Sequence, residues 1–175
     1  MMIKLIGLSQ YKKDKASTIC IGAFDGFHKG HQALKEHAEY LVTFYPNPKS
    51  IIHNKRFQLL STPIEQAYYN KKRIIIPFTK KLSKLSASDF LNNIIKHSLN
   101  PSQIVVGYDF KYGANQEGTI EHLKTWGLNN NCKIIVIEKK QCPEGLPYKT
   151  SRIKEELMNN PNKALSLLGH PYIII

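Results

Sequence analysis

Short apolar runs recur along the chain, separated by stretches with helical spacing. Residues 18–21, Leu41–Phe44, Arg73–Ile76, Gln103–Val106 and Lys133–Ile137 are rich in Ile, Val and Leu, as strands buried on both faces are. Helical patterns fill the gaps at Ala33–Tyr40, Ile64–Asn70, Ala87–Leu99 and Gly118–Leu128, and two more follow at Arg152–Met158 and Lys163–Leu168. Ser86 or Ser88 can cap the third helix, with Asp89 in its first turn and Pro101 just past its end. Gly169 ends the last one. Alternating strands and helices predict an α/β fold, a central and mostly parallel sheet flanked by helices. Such sheets bind ligands at the carboxyl ends of their strands, and each motif described below falls at such an end. At 175 residues one domain is expected. There is no internal repeat and no low-complexity segment.

Charge narrows the function only a little. Twenty-five Lys+Arg against 13 Asp+Glu give a net charge of +12, which attracts nucleotides, polyanions and anionic surfaces alike. The basic clusters Lys12-Lys13, Lys71-Lys72-Arg73 and Lys80-Lys81 have no interleaved aromatics, and no reading helix or RNA-binding motif accompanies them. A solvated basic face is the simpler reading, and nucleic acid is not the expected partner. Cys20, Cys132 and Cys142 form no CxxC pair and no zinc pattern, which fits reduced thiols in the cytoplasm. The N-terminal apolar stretch is too short for a signal peptide. No run reaches membrane-spanning length, so a soluble cytoplasmic protein without a membrane partner is expected.

Four units carry candidate chemistry. The first is Thr18-Ile19-Cys20-Ile21-Gly22-Ala23-Phe24-Asp25-Gly26-Phe27-His28-Lys29-Gly30-His31-Gln32. An apolar strand enters a glycine-bracketed turn, and two imidazoles three residues apart open a helix on one side of it. Unpaired N–H groups and the positive helix end suit a phosphate. Fixed donors there can stabilise an α-phosphate under attack, and Gly30 lets a ligand approach the backbone. The plain alternative is a pair of ordinary loop histidines. Asp25 can cap the turn or orient a histidine, and Gln32 and Lys35 are expected to face solvent.

The second unit, Leu41-Val42-Thr43-Phe44-Tyr45-Pro46-Asn47-Pro48, ends a strand sharply because neither proline donates to a ladder. Phe44 could wall a planar ligand or sit in the core. The third is Ile104-Val105-Val106-Gly107-Tyr108-Asp109-Phe110-Lys111-Tyr112-Gly113. Asp109 could hold magnesium or a ribose hydroxyl, although the alternation also fits a plain edge strand. The fourth, Lys149-Thr150-Ser151-Arg152-Ile153-Lys154, opens a helix with Glu155 and Glu156 in its first turn. Hydroxyls and cations there suit a triphosphate tail, and an N-cap at Thr150 or Ser151 is the plain alternative.

Together these units resemble the bacterial FAD synthetase family, specifically its N-terminal FMN adenylyltransferase module, within the wider HxGH nucleotidyltransferase superfamily. GAFDGFHKGHQ is similar to the family's HxGH signature, VTFYPNP to its TFxPHP segment, PFTKKLSKLSASDFL to the stretch before its third helix, and VVGYDFKYG to its GxDFxFG motif. KTSRIK stands where the family has an ISSTxIR-like motif. The segment 164–172 is similar to the connector that leads into a riboflavin kinase domain. The resemblance implies a Rossmann-like module over residues 1–168, with 169–175 as the start of that connector. It also implies FAD and pyrophosphate made from ATP and FMN with magnesium, and a riboflavin kinase domain or a separate enzyme as partner. No riboflavin phosphorylation is expected from the chain itself.

By the same resemblance His28 and His31 contact the ATP phosphates, and Asp109 joins them as a catalytic and metal-binding candidate. Gly22, Ala23, Phe24, Asp25 and Gly30 approach the nucleotide. Phe44, Asn47 and Asp109 lie toward the flavin and metal side, with Gly107 and Phe110 as further cofactor-binding candidates. Thr150, Ser151, Arg152 and Lys154 hold the β- and γ-phosphates. Tyr45 stands where the family usually has an acid, Asn47 where it often has His, and Lys154 where it has arginine, which loses a bidentate fork. The connections 32–41 and 64–74 look short for parallel crossovers, which implies a pared-down member or missing residues. Another HxGH adenylyl- or cytidylyltransferase, or a non-catalytic nucleotide- or nucleic-acid-binding module, is the alternative.

Overall fold

The computed structural model describes residues 4–7, 17–62, 65–66 and 72–172. Among the described residues six strands form one sheet: β1 (Lys4–Gly7), β2 (Thr18–Ile21), β3 (Tyr40–Tyr45), β4 (Lys72–Pro77), β5 (Gln103–Gly107) and β6 (Lys133–Ile137). Their order is β1-β4-β3-β2-β5-β6, and every pairing is parallel. The chain winds outward in two directions from β2, so the order reverses between β2 and β5. The crevice beyond the carboxyl ends at such a reversal is where open α/β sheets bind ligands.

Burial on both faces explains the apolar strands. On one face Ile19, Ile21, Val42, Ile74, Ile104 and Val106 pack beneath Phe90, Leu91, Ile95 and Leu99 of helix α3 (87–99) and Leu123 and Trp126 of a later helix. On the other, Cys20, Leu41 and Val105 pack with Phe24, Phe27 and Leu34. The flanking helices on this chain are α1 (Lys29–Lys35), α2 (Pro48–Ile52), α3, α4 (Ile120–Asn129), α5 (Thr150–Asn159) and α6 (Pro161–Leu168). A third cluster joins Ile153 of α5 to Ala164, Leu167 and Leu168 of α6, with Leu60 and Cys142. The turn at Gly169 has φ 76°, and Tyr172 beyond it packs on the same cluster.

Several boundaries differ from the sequence reading. The helix expected at Ala33–Tyr40 runs instead over Lys29–Lys35, because Tyr40 is already strand, paired with Ile19. The crossover therefore spans 22–39, long enough for parallel strands, and the turn before the helix supplies the length that seemed to be lacking. Of the helix expected at Ile64–Asn70 only 65–66 are described, and they are helical; the rest lies outside the described residues. β1 and α2 were not anticipated.

The cap of α3 is Ser86, whose Oγ accepts from the Asp89 N–H at 3.0 Å. The helix opens with an α turn and widens to π-type winding over Phe90–Leu99, and Asn100, at φ 47°, ends it. α4 starts two residues later than expected, capped by Thr119. α5 begins at Thr150 with no side-chain cap and no acid in its first turn. The Thr150 hydroxyl donates instead to the Asp25 carbonyl at 3.1 Å.

Candidate active site

A cleft of about 590 Å³ lies beyond the carboxyl ends of β2, β3, β5 and β6. The turn after β2 forms its floor. Phe24, Gly26 and Phe27 have φ of 51°, 78° and 42°, a left-handed cluster that costs energy at the two phenylalanines. Neighbouring segments hold it in place. The Asp25 Oδ1 accepts from the Leu60 and Ser61 N–H groups at 2.7 and 3.1 Å, and the Gly26 N–H donates to Ser61 Oγ at 2.8 Å. The Gly26 carbonyl lies 3.0 Å from His170 Nε2. Gln32, expected to face solvent, donates to the carbonyls of Phe27 and Leu168 at 3.0 and 2.8 Å. It turns inward because α6 ends against the turn.

His28 and His31 stack, centroids 3.7 Å apart with 16° between planes, and the Phe24 ring meets His31 edge-on at 5.5 Å. Burial holds His28 down to about 4, with His170 repelling its charged form. Burial, then repulsion from His28 and Arg73, holds His31 well below the ordinary value. Both imidazoles are therefore neutral at pH 7. Their Nδ1 atoms are buried with no hydrogen-bond partner among the described residues, so Nε2 is the nitrogen each ring can offer to the cleft. Gly30 leaves room for this arrangement: a Cβ there would stand 3.1 Å from the His28 ring and from Tyr148 Cβ.

Cations ring the cleft. Lys49, Lys139, Lys140, Lys149 and Lys154 line it, against Asp25, Asp109 and Glu138. Lys154 lies 3.5 Å from Asp25 Oδ2 and donates to the Gln58 carbonyl. Burial raises the Asp25 carboxyl above the usual range, while the Ser61 N–H and Lys154 work against it. Asn47 caps α2 through Oδ1, which accepts from the Lys49 N–H at 2.9 Å. Asp109 lines the cleft beside Gly107 and Tyr108, just past β5, the strand paired with β2. No group of three or more His, Cys, Asp or Glu among the described residues makes a metal cluster.

The cleft thus brings together Ala23, Phe24, Asp25, His28, Gly30, His31, Asn47, Gly107, Asp109, Thr150, Ser151 and Lys154. Four candidates stand apart. Gly22 lies behind the wall, where a Cβ would touch the Phe24 ring at 3.0 Å. Phe44 packs on Phe78 and Phe90. Phe110 stacks on Tyr112 at 5.4 Å. Arg152 turns to Glu144 at 2.6 Å and to Cys142 Sγ.

The sequence reading missed Tyr148, Lys49, Lys139 and Lys140. Lys139 and Lys140, one residue beyond β6, were findable, because they sit at a strand's carboxyl end. It counted Arg73 both in a basic surface cluster and at the start of a buried strand, and the strand reading holds: the residue is 0% exposed.

The FAD synthetase pattern matches residues 10–147. Curated relatives named bifunctional riboflavin kinase/FMN adenylyltransferase include one from Buchnera aphidicola subsp. Schizaphis graminum, 31% identical over 98% of this chain and 61% of its own length. One from Escherichia coli K12 is 26% identical over 89% of this chain and 55% of its own length. The chain therefore spans a little over half the length of these relatives.

Among solved structures, a macrolide-efflux protein from Streptococcus pneumoniae superposes with a TM-score of 0.83 at 25% identity, covering 98% of this chain and 63% of that one. A pantoate-beta-alanine ligase from Francisella tularensis, complexed with beta-gamma ATP and beta-alanine, superposes with a TM-score of 0.53 at 15% identity over 97% and 80% of the two chains, a likeness of fold. Among the described residues no helix is long and apolar enough to cross a membrane. The pattern match covers well over half the chain, and the chain belongs to the FAD synthetase family.

Proposed function

We propose that this chain transfers the adenylyl group of ATP to FMN, giving FAD and pyrophosphate. The observation that carries the reading is the neutral, stacked His28–His31 pair, facing a lysine-ringed cleft at the switch point of the sheet. An FMN phosphate oxygen attacks the α-phosphorus in line. The new P–O bond forms as the bond from the α-phosphorus to the bridging oxygen breaks, and pyrophosphate leaves with those electrons. No covalent enzyme intermediate is needed, so placement and charge stabilisation carry the chemistry. The Nε2–H groups of His28 and His31 donate to the α-phosphate oxygens as charge builds there. As neutral donors they need not lose a proton during the step.

Lys149, Ser151 and Lys154, at the start of α5, hold the leaving β- and γ-phosphates. Lys139 and Lys140 add positive charge from the end of β6. Ala23 and Phe24 approach the nucleotide, and Asn47 and Asp109 lie toward the flavin phosphate. The open carboxylate of Asp109 is the type and number of protein ligand that a phosphate-bound magnesium takes, and when bound the ion supplies charge neutralisation on the triphosphate. Phe44, Phe110 and Arg152 are engaged elsewhere, so Tyr108, Phe57 and Tyr148, all lining the cleft, are aromatic surfaces that a flavin ring can meet. Titrating FMN and watching its fluorescence tests this. Quenching on a saturable curve supports a stacked flavin, and an unchanged signal with ATP still bound refutes it in favour of a different phosphate acceptor.

A further inference from the structure

We infer that Arg73 is a positioning residue for the reaction proposed above, a buried cation that braces the histidine turn from beneath and sets the electrostatics behind His31. Arg73 lies on β4 between Lys72 and Ile74, and its side chain is fully buried. Its guanidinium carbon sits 5.7 Å from the Phe24 ring centroid and 5.5 Å from that of Phe27, close enough for cation–π attraction to both. These are the two phenylalanines whose backbones are left-handed. Arg73 Nη1 donates to Gln66 Oε1 at 2.8 Å, and Gln66 Nε2 donates to the Ser61 carbonyl at 3.1 Å. Ser61 in turn holds Asp25 and Gly26. One side chain thereby reaches the turn along two routes, through the aromatic rings and through a hydrogen-bond relay.

Stability does not account for this residue. Its Nε and Nη2 have no hydrogen-bond partner among the described residues, and a buried charge so sparsely satisfied is costly. Apolar replacement of buried ionic groups is often neutral or stabilising, and the run Ile74–Ile76 shows what this strand otherwise accepts. Burial pulls the Arg73 pKa down to about 10, so the group is still a cation at pH 7. Its charge opposes an imidazolium at His31. The other groups around the pair are His28, stacked on His31, then His170, which acts on His28, Tyr148, stacked on His28, and Asp25 on the same turn, paired with Lys154 of α5. Burial does most to keep His31 neutral, and Arg73 adds to it while bracing the turn that holds the ring in place.

The test uses the whole chain with Arg73→Met, Arg73→Leu and the charged control Arg73→Lys. Three quantities are read: the urea midpoint, the His31 titration by NMR of labelled histidine, and the separate kcat and KM for ATP. Arg73→Met and Arg73→Leu are expected to be as stable as the wild type, with His31 titrating at higher pH. Their kcat should fall roughly 10- to 100-fold, the scale of a misplaced catalytic group, with KM little changed. Arg73→Lys should keep the wild-type titration and most of kcat. An unmoved His31 titration overturns the proposal. So does failure of both uncharged variants to fold, which would make Arg73 a support of the core. Titration and stability need no turnover, so a wild type that forms no FAD while His31 still shifts refutes the reaction and leaves the positioning role standing.

Discussion

Acidification should weaken the fold through His28, and the size of the effect follows from its burial. The ordinary imidazole value is 6.5, and burial takes His28 to about 4 in the folded chain. Between those two values the unfolded chain binds the proton and the folded chain does not. Stability rises with pH wherever the unfolded state holds more protons. The His28 contribution is therefore fully present above about 6.5, is lost as the pH falls toward 4, and levels off below that. At about 1.4 kcal/mol per unit, moving from pH 7 to pH 5 should cost about 2 kcal/mol from this residue. His31, also held down by burial, adds to the loss in the same direction. Asp25, raised by burial, acts oppositely: its contribution is present at low pH and fades as pH rises through its folded value. Urea unfolding at pH 7 and pH 5 reads the effect, with His28→Phe as the comparison because it keeps an aromatic ring against His31. The wild type should lose about 2 kcal/mol more than His28→Phe over that interval. Equal losses would mean that the folded site accepts an imidazolium, and the neutral-donor mechanism would fall with that result.

Three substitutions probe the site further. His31→Ala should lower turnover by roughly 10²- to 10³-fold, the range for removing one transition-state donor, while the urea midpoint moves little; unchanged turnover would remove His31 from the chemistry. Gly26→Ala places a Cβ 2.7 Å from Leu60 Cδ1 at a φ of +78°, so thermal unfolding should show a loss of roughly 2–3 kcal/mol from strain and overpacking. Lys154→Met removes a charged donor from the start of α5, and calorimetry should find ATP binding weakened about 10- to 100-fold, as for a lost charge-assisted hydrogen bond.

The sheet and the position of the cleft were legible because buried parallel strands announce themselves as unbroken apolar runs, and glycine turns mark where they end. Ile19–Ile21, Gly22 and the two histidines could be placed from that alone. Side-chain destinations were less legible, because strand register and distant segments decide them. Lys72 and Arg73 read as one basic cluster, yet neighbours on a strand point to opposite faces. Lys72 meets Glu39 at the surface at 2.9 Å, and Arg73 enters the core. Phe44 could not be assigned to core or ligand until α3 brought Phe90 against it. Arg152 has a partner, Glu144, set by the hairpin in which Gln141 bridges Pro147. Gln32 looked like a surface residue because nothing in the local pattern shows that α6 returns to meet it.

The reaction itself is the most direct test. The purified chain is incubated with ATP, FMN and magnesium, FAD is followed by chromatography and pyrophosphate by a coupled assay. Adenylyl transfer predicts FAD and pyrophosphate in equal amounts, both falling together in His31→Ala. No FAD at high enzyme concentration, with ATP binding intact, would contradict it.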